Sequence, residues 1–565
     1  ERPELFEEYL GGTGVATHLL SEHAPRGVDP LAPEAPIVFA IGPLESLFPC
    51  VTKTVATFKS PATGNYGESH AGGRLGMAMR MADLGAIVIT GRAKYPSYLV
   101  VSDDAVKVRD ASTLSGLSTF ATGRVLREVE KGVGKRSIVR IGPAGENGVR
   151  FANVNVDTYR HFGRLGLGAV FGSKNLKGMV VSGRKELDIP DLRRYQEMYH
   201  VVYELIVNIP FMKKYHDLGT TANILPLNEM RALPTRNLRE TSFEHAHDVS
   251  GERFAKDFLG RNAACSHCPV GCIHIANLRV PYGSGYEYET LQVSYDYELI
   301  YALGTMLGMT SPEDVLKLIE KVERTGLDAI TTGCVLSWAT EAYGKGLITS
   351  QHTNGVSLRW GKVDDYLKAI KYISSRENEF YKDAGMGAGF LGQKYGGKDF
   401  AIALAGNEIA GYHTGYANIL GHAYGARNSH LSNGGYALDQ SSAMKPLKAE
   451  DMVSKLISDE QSRSMFNSLV ACLFARSVFS EELISEMLGS VGLEYSEDEL
   501  KQIGKKVYRE KMAYKLAEGF DPSAVEVPGR FFETITPVGR LDPAKMDEMK
   551  AIYAERIRGI IAGGA

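Results

Sequence analysis

Charge of one sign, long apolar runs and cysteine are all scarce in this chain, and each scarcity removes a class of protein. Lysine and arginine number 64 against 67 aspartates and glutamates, a formal charge of −3 over 565 residues, with no block of like charge. That excludes a basic nucleic-acid arm and a polybasic membrane tether. The longest apolar runs, such as Ala86-Ile87-Val88-Ile89, are far too short to span a bilayer, and Glu1-Arg2-Pro3-Glu4 does not resemble a signal peptide. Six cysteines are too few for a secreted disulfide framework and suit a reducing compartment. The composition therefore reads as a soluble, cytoplasmic protein with neither nucleic acid nor membrane as partner. At this length two to four domains are expected, and 44% hydrophobic residues with 61 glycines describe an ordinary globular protein rich in turns.

The few cysteines are concentrated. Cys265-Ser-His-Cys268-Pro-Val-Gly-Cys272 places three thiols within eight residues. Three thiolates on one loop suit three corners of a cubane iron–sulfur cluster with a remote fourth ligand, whereas tetrahedral zinc usually takes two close and two distant ligands. Cys50, Cys334 and Cys472 are the available fourth ligands. Zinc stays open, because His267 and His274 adjoin the motif.

From about Ile37 to Gly183 the pattern is short strands and glycine turns. Val51 to Phe58 alternates at period two, Gly85 to Gly91 encloses a short apolar run, and Ser97 to Val108 reads as a hairpin through Asp103-Asp104. Two glycine-dense loops, His70 to Gly76 and Arg160 to Gly168, each carry arginine and could offer backbone N–H groups and a guanidinium fork to a phosphorylated or pterin-like cofactor. After Pro190 the period lengthens, with Leu192, Tyr195, Tyr199 and Val202 on one helical face. Ser311-Pro312-Glu313-Asp314 opens a clear helix that buries Val315, Leu318, Ile319 and Val322 and ends at Gly326. A second helix starts just after Asp328 and carries Ile330, Cys334 and Trp338. Gly411 to Asp439 is a long irregular stretch of the kind that is more often functional than idle.

Each candidate site residue has a plainer reading beside it. Asp328 can be a helix N-cap or a ligand. Tyr286-Glu287-Tyr288-Glu289 can be an exposed strand end. His413, His422 and His430 fall in the irregular stretch, where a catalytic imidazole and a structural one look alike.

Ile141-Gly-Pro-Ala-Gly-Glu-Asn147, Gly163 to Lys177, Cys265 to Cys272 and Gly326-Leu-Asp328 together carry a specific signature. Over nearly its full length the chain resembles the aldehyde ferredoxin oxidoreductase family, tungsten enzymes with a bis-pterin cofactor beside one [4Fe-4S] cluster. The resemblance implies an α+β fold: a β-rich pterin-binding base over 1–186, a helical domain with the cysteine motif over 187–400, and a helical domain supplying the fourth cysteine over 401–565. Family members begin with a further β-hairpin, so a short N-terminal piece is expected to precede Glu1.

The same resemblance selects Cys472 as fourth ligand, through Asn467-Ser-Leu-Val-Ala-Cys472, with Asn467 where the family has an acid and Ala471 beside the cysteine. Glu323-Arg-Thr-Gly-Leu-Asp328 matches the companion motif, placing Glu323, Leu327 and Asp328 at the pterin. Lys53, His70, Gly72, Arg160, His161, Gly163, Arg164 and Arg427 are the other implied pterin contacts, and carbonyls near His70 and His161 would hold a Mg2+ bridging the pterin phosphates. Lysine at position 53 keeps the charge of the family's common arginine without its planar fork. Lys317 and Glu320 stand where some relatives hold an interface iron with Glu-x-x-His, and no such iron is expected here.

For the chemistry, the resemblance assigns Glu289 as proton acceptor, with Tyr288 beside it, and His430 as the histidine near the metal, with His422 the fallback. The implied reaction is oxidation of an aldehyde to a carboxylic acid, electrons leaving through the cluster to ferredoxin or to a small polyferredoxin-like subunit. Relatives that reduce aromatic acyl-CoA thioesters give a second reading, and a non-catalytic zinc protein a third. A homo- or hetero-oligomer is compatible with either enzyme.

Overall fold

The computed structural model describes residues 2–103, 105–132 and 134–563. Near the N-terminus, Ile37–Ala40 (β1), Thr54–Lys59 (β2), Tyr66–Ala71 (β3) and Ala86–Ile89 (β4) form an antiparallel sheet in the order β3-β2-β1-β4, with Ile37 opposite Phe58 and Ile89. A second sheet runs β6-β5-β10-β7-β8-β9, built from Ser97–Val101 (β5), Val106–Asp110 (β6), Lys135–Arg140 (β7), Val154–Val156 (β8), Arg160–Phe162 (β9) and Leu176–Gly183 (β10). Its β5–β10 pair is parallel and the rest are antiparallel. The expected hairpin between Ser97 and Val108 is β5–β6; its turn residue Asp104 lies outside the described residues.

Both faces of the first sheet are covered, which is why β1 reads as an unbroken apolar run. Ile37 and Phe39 face the second sheet, and Phe39 meets Phe162 and Phe171 at 5.3 and 6.2 Å between ring centres. Val38 and Ala40 face a helix, Gly12–His23, that the sequence reading did not anticipate. Truncating Phe39 to alanine removes that seam at a cost of about 3–5 kcal/mol. The alternation read over Val51 to Phe58 is not amphipathic, because every residue of β2 is buried. Val51 leaves the sheet and bridges Ala471, four hundred residues on.

The remainder is mainly helical. Leu192–Asn208 opens on the Asp191 cap, and of its anticipated face Val202 is buried while Leu192 is exposed. Ser311 caps Pro312–Thr325 by accepting from the Asp314 N–H, and Gly326 closes it in the left-handed conformation. Ala329–Gly344 follows with apolar burial all round. Leu259–Ala263 (β11), Ile273–Pro281 (β12) and Tyr288–Tyr295 (β13) make a small antiparallel sheet. Gly411 to Asp439 is less irregular than its composition suggests, since Tyr416–Tyr424 and the start of Gly435–Ser442 are helical. No helix among the described residues is long and apolar enough to cross a membrane.

Candidate active site

A cavity of about 500 Å3 lies between the glycine loops of the N-terminal sheets and the helical part. Larger recesses occur at the surface, one of about 1150 Å3 beside Ser454 and Arg556, but none of them is lined by a cysteine.

One wall of the cavity is sulfur and cation. The loop joining β11 to β12 presents Cys265, Cys268 and Cys272, turning through His267 and Gly271 in left-handed conformations. Its Ser266 N–H donates to the Gly73 carbonyl at 2.9 Å, so the loop is fastened to the first glycine-dense segment. Gly72 is there because nothing larger fits: a Cβ would sit 2.5 Å from Cys265 Sγ and 3.2 Å from Lys53 Nζ. Cys472 arrives after the helix Ala449–Ser468, held by its N–H to the Cys50 carbonyl at 2.8 Å, by the Val51–Ala471 bridge and by the Lys53 N–H to the Val470 carbonyl at 3.1 Å. Of the other cysteines, Cys334 lies in a distant helix against Tyr301 and the Ile409 carbonyl. Cys50 lies behind the wall with Sγ 3.8 Å from Cys268 Sγ. Among the described residues no three His, Cys, Asp or Glu side chains are spaced to hold a single metal ion; the four thiols surround a shared space instead.

Lys53 and Arg160 are buried in this wall. Burial opposes both charges, but the neighbouring Cys472 and Cys265 sulfurs outweigh it for Lys53, and Cys265 and Cys272 for Arg160, so both lie above their ordinary values. Arg160 Nε has no partner. Arg164 donates from Nε to Asp328 Oδ2 at 3.0 Å and from Nη2 to the Glu408 carbonyl at 2.8 Å, which leaves buried Nη1 without one. Asp328 fills both roles considered for it, since Oδ1 caps the helix through the Ile330 N–H while Oδ2 pairs with Arg164. His161 Nε2 lies 2.7 Å from Glu323 Oε2, and the Leu327 carbonyl accepts from Asn153. Glu323, Leu327, Asp328 and Asn467 thus stand behind the lining as its supports, and buried Asn467 Oδ1 is unpartnered. Gly163 and Ala471 line the cavity directly.

The structure corrects the assignment of the acid. Glu289 and Tyr288 are exposed at the end of the β12–β13 hairpin, paired with Val280 and Pro281, and Arg279 lies over the Tyr288 ring at 4.2 Å. Neither reaches the cavity. Its second wall is formed instead by Asp296, Tyr297 and Glu298, where Asp296 caps the helix Tyr297–Leu303 and turns Glu298 inward. Glu298 Oε2 accepts the Gly411 N–H at 3.1 Å, while Oε1 lies 3.3 Å from His430 Nε2 without a hydrogen-bond partner. Burial, with the Asp296 carboxylate adding and the Gly411 N–H opposing, pushes Glu298 up to about 8. Burial, then the Arg164 charge, holds His430 well below the usual histidine range, and its Nδ1 is unpartnered. Tyr412 packs on the His430 ring at 5.5 Å and stacks on Tyr436 at 4.6 Å. His422 turns away to the Asn407 carbonyl and His413 to Thr534, so of the three histidines His430 alone lines the cavity.

A further acid was missed. Buried Glu68 lies 2.6 Å from His70 Nε2 and 3.5 Å from Arg427 Nη1, and accepts from Lys511, Tyr66 and Thr13 at 2.7 to 2.8 Å. Lys511, His70 and Arg427 overcome its burial and keep it ionised, well below the usual carboxylate range. Burial, then Arg427, lowers His70 to about 4.

Two family models cover the chain: "aldehyde ferredoxin oxidoreductase, N-terminal domain" over residues 1–183 and "aldehyde ferredoxin oxidoreductase, domains 2 & 3" over 197–558. The chain belongs to the aldehyde ferredoxin oxidoreductase family. It is 31% identical over 555 residues to the tungsten-containing aldehyde ferredoxin oxidoreductase of Thermococcus kodakarensis, covering 95% of this chain and 89% of that one, and 30% identical to the Pyrococcus furiosus enzyme at the same coverage. An aliphatic sulfonate oxidoreductase WOR-like subunit from Pyrococcus furiosus is 28% identical over 98% of this chain and 90% of its own length. Among solved structures, the active-site complex BamBC of benzoyl coenzyme A reductase superposes with a TM-score of 0.82 over 98% of this chain and 91% of its own, at 18% identity, which speaks to the fold. Membership of the aldehyde ferredoxin oxidoreductase family makes the chain an oxidoreductase and displaces the structural-zinc reading.

Proposed function

We propose that the protein is a tungsten enzyme that oxidises an aldehyde and water to a carboxylic acid, releasing two protons and two electrons, with a [4Fe-4S] cluster as the electron exit. The observation that carries this reading is one cavity joining four cysteines, two buried arginines with unpartnered nitrogens and the Glu298–His430 pair. The donor set fits the cofactors. Arg160 Nε and Arg164 Nη1 are buried polar atoms of lining residues that need a partner, and Gly72 leaves room for nothing but the thiol of Cys265. Cys265, Cys268, Cys272 and Cys472 would hold the cluster, while Lys53, His70, Arg160, His161, Gly163, Arg164, Arg427 and Ala471 would face the pterins. β3 and β9 lie side by side, which supports a Mg2+ held by carbonyls near His70 and His161.

The tungsten–pterin group, when bound, would supply the two-electron couple. The chain moves the proton. Glu298, in its ionised form, takes a proton from the water or hydrated aldehyde; its carboxyl is raised to about 8, which makes that form a stronger base than an ordinary carboxylate and leaves it fully populated only above that pH. His430 stays neutral, so its N–H can donate to the oxygen that gathers negative charge. Gly411 holds the acid in place through its backbone N–H, and Tyr412 holds the imidazole plane. We place the enzyme in the reducing cytoplasm, where none of its six cysteines is drawn into a disulfide and four stay available to a cluster.

The experiment is elemental analysis of purified holoprotein, followed by assay of an aldehyde panel with a viologen acceptor. Tungsten, four irons and aldehyde-dependent reduction are expected; protein lacking both tungsten and molybdenum would sink the reading. The aromatic lining formed by Tyr412, Tyr436, Tyr215 and Phe474 favours a second reaction on the same site, reduction of an aromatic acyl-CoA. Inactivity with every aldehyde alongside a positive acyl-CoA couple would move the assignment there.

A further inference from the structure

A fifth thiol stands against the four that surround the cavity. Cys50 is 1% exposed, and its Sγ lies 3.8 Å from Cys268 Sγ, within hydrogen-bonding contact for sulfur. Its backbone N–H donates to the same sulfur, as does that of Val270. Its carbonyl accepts the Cys472 N–H at 2.8 Å. Cys50 therefore touches two of the four proposed ligands from behind, without lining the cavity itself. Among the described residues no thiol makes such a contact with Cys265, Cys272 or Cys472. The side chain is kept there against a backbone cost. Cys50 takes the left-handed conformation, with φ of 62°, which glycine adopts freely and a residue with a Cβ rarely does. Glycine at this position would relieve the strain and still offer its carbonyl to Cys472. What it would lose is the thiol, so the strain points to a use for the sulfur.

We propose that Cys50 tunes the cluster: with Cys268 bound to iron, the Cys50 thiol donates its S–H to the Cys268 sulfur and raises the cluster's reduction potential. The inference rests on the [4Fe-4S] reading above and deepens it by naming a positioning residue, one that acts through a ligand and touches neither metal nor substrate. A metal-bound thiolate carries no proton, so the direction of the contact is fixed, with Cys50 as donor and Cys268 as acceptor. Reduction adds one electron to the cluster, and part of that charge falls on its sulfurs. The hydrogen bond is therefore stronger in the reduced form, which is how hydrogen bonds to cluster sulfurs set such potentials. Burial of Cys50 removes competing water and strengthens the effect. The oxidised cluster gains one electron, the proton stays on Cys50, and no covalent bond is made or broken.

The test is a redox titration of the iron–sulfur-loaded full chain, following the electron paramagnetic resonance signal of the reduced cluster in wild type, Cys50→Ala, Cys50→Gly and Cys50→Ser. The control is Cys334→Ala, which removes a buried thiol from a distant helix. Iron is measured on each protein, and about four irons per chain are expected throughout. Cys50→Ala and Cys50→Gly should both lower the midpoint potential by the equivalent of about a tenfold change in the reduction equilibrium, about 59 mV for one electron. Glycine separates this effect from backbone strain, because it accepts the left-handed turn freely. Cys50→Ser keeps a donor and should recover most of the shift. An unchanged or raised potential in the alanine and glycine variants, the same shift in Cys334→Ala, or no recovery with serine would overturn the assignment. Loss of iron from the Cys50 variants alone would also overturn it, by making Cys50 a ligand. Wild-type protein without iron would instead overturn the cluster reading, on the iron analysis and not on the potential.

Discussion

The two walls of the cavity use buried charge in opposite ways. On the cysteine side, Lys53 and Arg160 sit against cysteine sulfurs and Arg164 against Asp328, and all three cations are raised above their ordinary values, so their charges are fixed across the physiological range. On the other side, Glu298 has no cation in contact and its nearest ionisable neighbour is a histidine held neutral. The first wall is built to hold an electron-rich group in place, the second to take and give a proton. What separates them is the partner each buried charge has, since the burial is the same.

That contrast can be broken residue by residue. Glu298→Gln keeps the volume and removes the base, and it should lower kcat by about 10²- to 10⁴-fold with little change in KM, measured with an aldehyde and a viologen. His430→Gln should cost about 10²-fold in kcat, because one donor to the developing oxyanion is lost. On the fixed-charge wall, Gly72→Ala forces a methyl onto Cys265 Sγ. It should destabilise the chain by about 1–3 kcal/mol by calorimetry and lower the iron content of the purified protein. Glu289→Gln should alter neither activity nor stability beyond about 0.5 kcal/mol, or roughly twofold, since Glu289 is an exposed hairpin residue.

How legible each wall is in the sequence follows from its chemistry. Thiols spaced C-x2-C-x3-C announce themselves, and the capped helix after Ser311 could be read from its Pro, acids and closing Gly. The acid of the second wall could not be picked by motif alone, because two acid–tyrosine–glutamate triplets lie nine residues apart. The first follows Gly283-Ser284-Gly285, the mark of a hairpin tip that faces water; the second begins with Asp296, a helix cap followed by the buried positions Tyr297, Ile300 and Tyr301. Weighing turn chemistry above motif likeness would have chosen Glu298. The Glu68 network had no local signal, since its counter-charges come from Arg427 and Lys511, hundreds of residues away. Likewise the helix Gly12–His23 is glycine-rich and buried on most sides, so it carries no amphipathic period to read.

The claim that Glu298 is the base is tested most directly by the pH dependence of kcat/KM for aldehyde oxidation in wild type and in Glu298→Gln. A carboxyl raised to about 8 must lose its proton before it can act. The wild-type rate should therefore climb about tenfold per pH unit below that value and level off above it, while the variant stays slow and flat. The same break near pH 8 in both proteins would contradict the account.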